Sequence, residues 1–87
     1  KKYKTKFPVS RIKKIMQTDE DVGKMTSNTP VVISAALELF IKSITYKACE
    51  EAKKRKASRI SLSHLKRAIM SIEQFDFLKD LVATVPD

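Results

Sequence analysis

TPVVISAALELFIKSITYKACEEAKKRK, Thr29 to Lys56, is the stretch that decides the fold. Thr29 before Pro30 is a start signal for a helix, and no glycine or further proline interrupts the chain from there to Lys56. Val31, Val32, Ile33, Ala35, Ala36, Leu37, Leu39, Phe40, Ile41 and Ile44 cover well over half of a helical wheel. A helix lying on a single core needs only a stripe at 3.6-residue spacing. One face is therefore expected to pack on the chain's own shorter segments and the other on a second polypeptide. At 1.5 Å per residue the helix would be about 40 Å long, more than the width of a compact monomer of this size.

Working outward, a shorter helix is expected from about Pro8, a residue tolerated at the first helical position, with Val9, Ile12, Ile15 and Met16 on one side. Gln17 to Thr29 holds the only glycine, Gly23, and the polar cluster Thr26, Ser27, Asn28 and Thr29, which reads as a structured loop with a short turn at Asp19 to Lys24. Beyond Lys56, Ala57 to Ile60 is a connector. Ser61 then caps a helix whose Leu62, Leu65, Ala68, Ile69 and Ile72 have helical spacing. Phe75, Phe77, Leu78, Leu81, Val82 and Val85 form a further apolar stripe, ended by Pro86. The organisation this predicts is an arm over residues 1–6, a single fold over 7–72, and an amphipathic helix over 73–87 packed upon it. Phe75 and Phe77 read as core residues, and Met16, Met25 and Met70 as core or interface filler.

A chain of 87 residues is one domain, able to bury roughly 60 to 65% of its unfolded surface, so association would add useful burial. Its net charge is +8, but placement says more than the total. Lys1, Lys2, Lys4, Lys6, Arg11, Lys13 and Lys14 all precede the first acid, Asp19. Lys53, Lys54, Arg55, Lys56, Arg59, Lys66 and Arg67 form a second acid-free tract, while Glu73, Asp76, Asp80 and Asp87 outweigh Lys79 near the C-terminus. Segregation of this kind suggests a polyanion-binding surface. Cations at the end of the long helix also complement its dipole, yet that needs one or two charges and leaves the N-terminal tract unexplained.

Catalysis has little to stand on here. There is one His, one Cys and one Gly, with no phosphate-cradling glycine loop and no nucleophile beside a plausible base. His64 has no companion ligands and is expected to make a structural hydrogen bond. Asp19, Glu20 and Asp21 lack the further oxygen ligands of a calcium loop. Cys49 excludes an internal disulfide, suits a reducing compartment and reads as a small apolar filler. No cofactor, metal or small-molecule substrate is expected. Without an apolar run of 18 residues or a signal-peptide pattern, neither a membrane span nor secretion is expected. Opening on Lys1 instead of Met, the chain reads as a piece of a longer protein.

Short helix, long helix and short helix joined by two loops is the histone-fold arrangement, and the residues resemble that family. FPVSRIKKIM (Phe7 to Met16) resembles its first helix, TPVVISAALELF (Thr29 to Phe40) the start of its central helix, and SRISLSHLKRAI (Ser58 to Ile69) its second loop and third helix. IKKIMQTDEDVGK (Ile12 to Lys24) and QFDFLKDLVATVP (Gln74 to Pro86) are similar to the alpha-subunit family of negative cofactor 2, and the similarity covers essentially the whole chain. QFDFL also occurs in the C subunit of the CCAAT-binding factor, whereas MQTDED followed by VGK favours the former.

The resemblance implies an all-α histone fold that is one half of a head-to-tail heterodimer with a histone-fold beta subunit. It implies a nuclear protein that clamps the TATA-binding protein on promoter DNA and represses initiation by RNA polymerase II. In such pairs the first loop of one chain lies beside the second loop of the other, facing a DNA backbone. Phosphate contacts then fall at or beside Arg11, Lys14, Lys24, Lys56 and Arg59, with Lys4, Lys6 and Lys13 adding a basic arm. Arg59 is expected to reach a phosphate or a minor groove with its planar fork; the competing role is tying its loop to the long helix. The dimer interface is expected at Ile33, Leu37, Phe40, Ile41, Ile44, Leu65 and Ile69. The alternatives are the CCAAT-factor subunit, another histone-fold chromatin or replication subunit, and a scaffold module that binds only protein.

Overall fold

A computed structural model describes residues 6–86. Among them the chain forms four α-helices and one 3-10 helix, without strands: α1 (Val9–Met16), α2 (Asn28–Lys54), α3 (Leu62–Ser71), the 3-10 helix Glu73–Leu78, and α4 (Lys79–Val82). This is the all-α arrangement expected of a histone fold. By their internal contacts the residues divide into two compact units, 1–41 and 42–87.

In the first unit, α1 starts directly after Pro8, whose carbonyl accepts the N–H groups of Arg11 and Ile12, both at 3.2 Å. Ile12 is its buried residue, while Ile15 of the expected apolar side stays exposed. The loop that follows is tightened by an Asx turn: the Asp21 N–H donates to Asp19 Oδ1 at 2.9 Å and the Val22 N–H to the Asp19 carbonyl at 3.1 Å. Gly23 then turns the chain at φ 62°, a conformation that side chains disfavour. The long helix begins two residues before Pro30, because the Thr29 N–H bonds the Thr26 carbonyl and the two threonine hydroxyls join at 2.8 Å. Pro30 therefore sits in the first turn, where a missing N–H costs nothing.

In the second unit the buried residues are Ala48, Ala52, His64, Ala68, Ile69, Phe75 and Val82. His64 Nδ1 accepts the Ser61 N–H at 2.9 Å, so the lone histidine completes a capping box on α3. Ile72, extended at φ −117° and ψ 120°, stops that helix. The amphipathic helix expected over 73–87 is broken into the 3-10 helix and the single turn of α4, and both pack against α3. The reason lies in Phe75: burying it three residues after Ile72 calls for a tight turn, closed by its N–H on the Ile72 carbonyl at 3.0 Å. Phe77 does not join the core as expected. It is 71% exposed, because the two phenylalanines lie two positions apart on a winding of about three residues per turn.

Candidate nucleic-acid interface

Arg11, Lys13 and Lys14 follow from the geometry of α1. With Ile12 turned inward, its neighbours are forced outward, and all three cations are exposed. Lys13 and Lys14 also occupy the last turn, where positive charge complements the helix dipole. Lys24 is exposed directly after Gly23. The same loop exposes Asp19, Glu20 and Asp21, so Lys24 is the loop residue suited to an anion, in a locally mixed field.

Lys6 marks where the basic arm meets the helices. Its backbone N–H donates to Glu38 Oε1 at 3.0 Å, and one residue on, the fully buried Ser34 hydroxyl donates to the Phe7 carbonyl at 3.4 Å. Lys4, placed in the arm with Lys1 and Lys2, lies outside the described residues.

The second loop begins with an unusual helix end. Ala57 N–H bonds the Ala52 carbonyl at 2.9 Å and Lys56 N–H the Lys53 carbonyl at 3.0 Å, the two bonds of a Schellman motif. Its left-handed residue is Lys56, at φ 56°, where glycine is the usual occupant. Residues 55 to 62 are exposed throughout. Arg59 lies on the wall of a shallow cavity of about 390 Å³ together with Cys49, Ala52, Lys53, Ala57, Ser58 and Ile60.

The acid-free tract divides by what its cations bond to. Lys54 pairs with Glu51 at 3.3 Å, and Lys66 donates to the Val85 carbonyl at 2.8 Å. Arg67 is half-buried, its Nε enclosed. By contrast, among the described residues no carboxylate pairs with Arg11, Lys13, Lys14, Lys24, Lys56 or Arg59, whereas Lys47, Lys54 and Lys79 each pair with an acid three residues away along the chain. Cations with no carboxylate partner among the described residues can meet phosphates without breaking an ion pair there.

The apolar residues expected at a dimer interface are only partly covered. Ile33 and Ile41 are exposed and Leu37, Phe40, Ile44 and Leu65 half-buried, whereas Ile69 is 3% exposed and already belongs to the core of its own unit. The expected interface set left out Val32 and Leu39, which the apolar wheel of the long helix does include, and sequence reasoning missed Tyr46; the three follow one another at seven-residue steps and are all exposed, Leu39 at 67%. Their heptad spacing was the available signal. Leu62 is exposed as well. Among the described residues no group of three or more His, Cys, Asp or Glu is placed to hold a metal ion, and no helix is long and apolar enough to cross a membrane.

Residues 5–69 match the family model described as histone-like transcription factor (CBF/NF-Y) and archaeal histone. The whole chain is 58% identical to the Dr1-associated corepressor of Homo sapiens over 87 residues, 42% of that protein's length. It is 46% identical over 77 residues to the negative cofactor 2 complex subunit alpha of Saccharomyces cerevisiae, covering 88% of this chain and 54% of the relative. With a DNA polymerase epsilon subunit of Yarrowia lipolytica it shares 51% identity over 84 residues, 97% of this chain and 74% of that one. The chain thus spans less than half the length of the corepressor it matches.

Proposed function

Because the chain belongs to the family of histone-like transcription factors (CBF/NF-Y) and archaeal histones, we propose that it is one half of a nuclear histone-fold heterodimer that grips the DNA backbone and represses transcription initiation. The observation that carries this reading is the set of exposed cations without carboxylate partners among the described residues, Arg11, Lys13, Lys14, Lys24, Lys56 and Arg59. They contact phosphates, while the exposed apolar residues of α2 receive a histone-fold beta subunit. Lys6 and Lys4 extend the same contact along the arm. The names of the corepressor and negative-cofactor relatives support the repressive role.

In its finer form the proposal is that the heterodimer clamps the TATA-binding protein on promoter DNA. Cations on helix ends and loops read no bases, so naked duplex is held weakly and with little selectivity. A duplex already kinked by the TATA-binding protein brings more phosphates within reach, and its deformation energy has been supplied beforehand. The experiment is an equilibrium titration of the heterodimer against naked TATA duplex and against duplex preloaded with the TATA-binding protein, at one salt concentration. The preloaded form is expected to bind at least about tenfold tighter, roughly 1.4 kcal/mol. Equal affinities remove the clamp and leave a histone-fold DNA binder.

The likeness to a DNA polymerase epsilon subunit favours a second reading, in which the same heterodimer holds duplex DNA for a replication complex. That reading shares the phosphate contacts and the paired fold, and it predicts no gain from preloading.

A further inference from the structure

From the second loop we infer a phosphorylation site at Ser58, read by an arginine-directed serine kinase and acting as a switch on DNA binding. The segment is Arg55-Lys56-Ala57-Ser58-Arg59-Ile60. Among the described residues, Ser58 is the one serine or threonine with a basic residue at both the third and the second position before it. A kinase cleft lined by carboxylates selects its substrate by that charge pattern.

Exposure and bonding single out the same residue. Every residue from Arg55 to Leu62 is exposed, and Ser58 lies in a bend between α2 and α3. The next serines along the chain are engaged: Ser61 Oγ lies 2.8 Å from Ser63 Oγ and 3.1 Å from His64 Nδ1; at the far end of α3, Ser71 Oγ donates to the Ala68 carbonyl at 3.1 Å. Among the described residues the Ser58 hydroxyl has no hydrogen-bond partner. Laying Arg55 to Ser58 into a cleft as extended chain opens the Schellman bonds of Lys56 and Ala57, a local event at a helix end that leaves both cores intact.

The chemistry closes without any further reactant. The Ser58 Oγ attacks the γ-phosphorus of magnesium ATP, the bond from that phosphorus to the bridging oxygen of ADP breaks, and the hydroxyl proton passes to a carboxylate base of the kinase. The product carries about −1.5 to −2 charges near neutral pH, between Lys56 and Arg59. It engages those two cations within the chain and repels the DNA backbone, so the loop changes from attractive to repulsive.

This inference rests on the reading of the second loop as a phosphate-contacting surface, and the test separates the two. The heterodimer is incubated with magnesium ATP and the isolated catalytic chain of the cAMP-dependent protein kinase, with and without saturating duplex. Phosphate is located by mass spectrometry, and DNA affinity is then titrated for the phosphorylated protein and for Ser58→Ala and Arg59→Ala variants. Expected are one phosphoryl group on Ser58, none there in Ser58→Ala, protection by DNA, and at least about tenfold weaker DNA binding after modification. Failure to modify Ser58 in the free heterodimer, while a peptide of residues 53–61 is modified, overturns the site. Modification with unchanged affinity overturns the switch. In that case a loss of affinity in Arg59→Ala shows the DNA-contacting loop to be sound, and no loss shows that reading to have failed as well.

Discussion

Lys66 Nζ donates to the Val85 carbonyl across a separation of 19 residues, 2.8 Å away. A cation that stands in an acid-free run is thus employed inside the fold, holding the end of the chain to α3. Hydrogen bonds to a charged group contribute about 1.5 to 3 kcal/mol. Lys66→Met should release the segment around α4 and Val85, seen as faster amide exchange there. DNA affinity should change less than it does for Arg59→Ala. An affinity loss equal to that of Arg59→Ala would place Lys66 on the proposed DNA-binding surface.

Lys56 holds a left-handed backbone that a side chain occupies at a cost of about 1 to 2 kcal/mol. Lys56→Gly should therefore raise stability by about 1 kcal/mol, less whatever the freer unfolded chain recovers. The same change removes one phosphate-seeking charge and should lower the salt slope of DNA binding by about one contact. Urea titration of the heterodimer and DNA titrations at several salt concentrations check the two halves. A gain in stability without a loss of binding would exclude Lys56 from the interface.

His64 acts as an acceptor toward the Ser61 N–H. His64→Gln keeps an acceptor at that position of the capping box and should cost little of the cap, whereas His64→Leu removes it and should lose about 1 kcal/mol. Denaturant midpoints of the two variants measure the difference. Equal losses would mean that the buried ring contributes by packing alone.

Phe40 is half-buried in the single chain, beside the exposed Leu39 and Ile41. Phe40→Asp would place a charge where the partner is proposed to pack, a cost of several kcal/mol once water is excluded. Co-purification with the beta subunit should be abolished, and a pair that survives the substitution would move the interface off this part of α2.

The long helix was legible because nothing interrupts Pro30 to Lys56, and α1 and α3 because their apolar residues recur at helical spacing. Their ends were not. Hydroxyl bonding between Thr26 and Thr29 starts α2 early, and no feature of Lys56 announces a left-handed helix end. The C-terminal stripe read as one helix because Phe75, Phe77, Leu78, Leu81 and Val82 fit a single face loosely. Only the burial of Phe75 and the exposure of Phe77 and Leu81 resolve it into two short windings. Charge runs marked the candidate cations but could not divide them. Lys66 and Arg59 carry the same sign in the same tract, and a bond to a carbonyl far along the chain is what sets them apart.

The hydrogen bonds that tie each half together span different separations. Lys66 meets Val85 across 19 residues, whereas Ser34 meets Phe7 across 27 and Lys6 meets Glu38 across 32. Closure entropy rises only slowly with length, by about 0.6 kcal/mol per doubling, so neither half is handicapped by much. Yet α3, the 3-10 helix and α4 contact one another within a short stretch of chain, and local contacts form fastest. As the chain collapses, its C-terminal half is therefore expected to settle first. The residues from Lys6 to Glu38 would then be the last to close, still adjustable when a partner arrives.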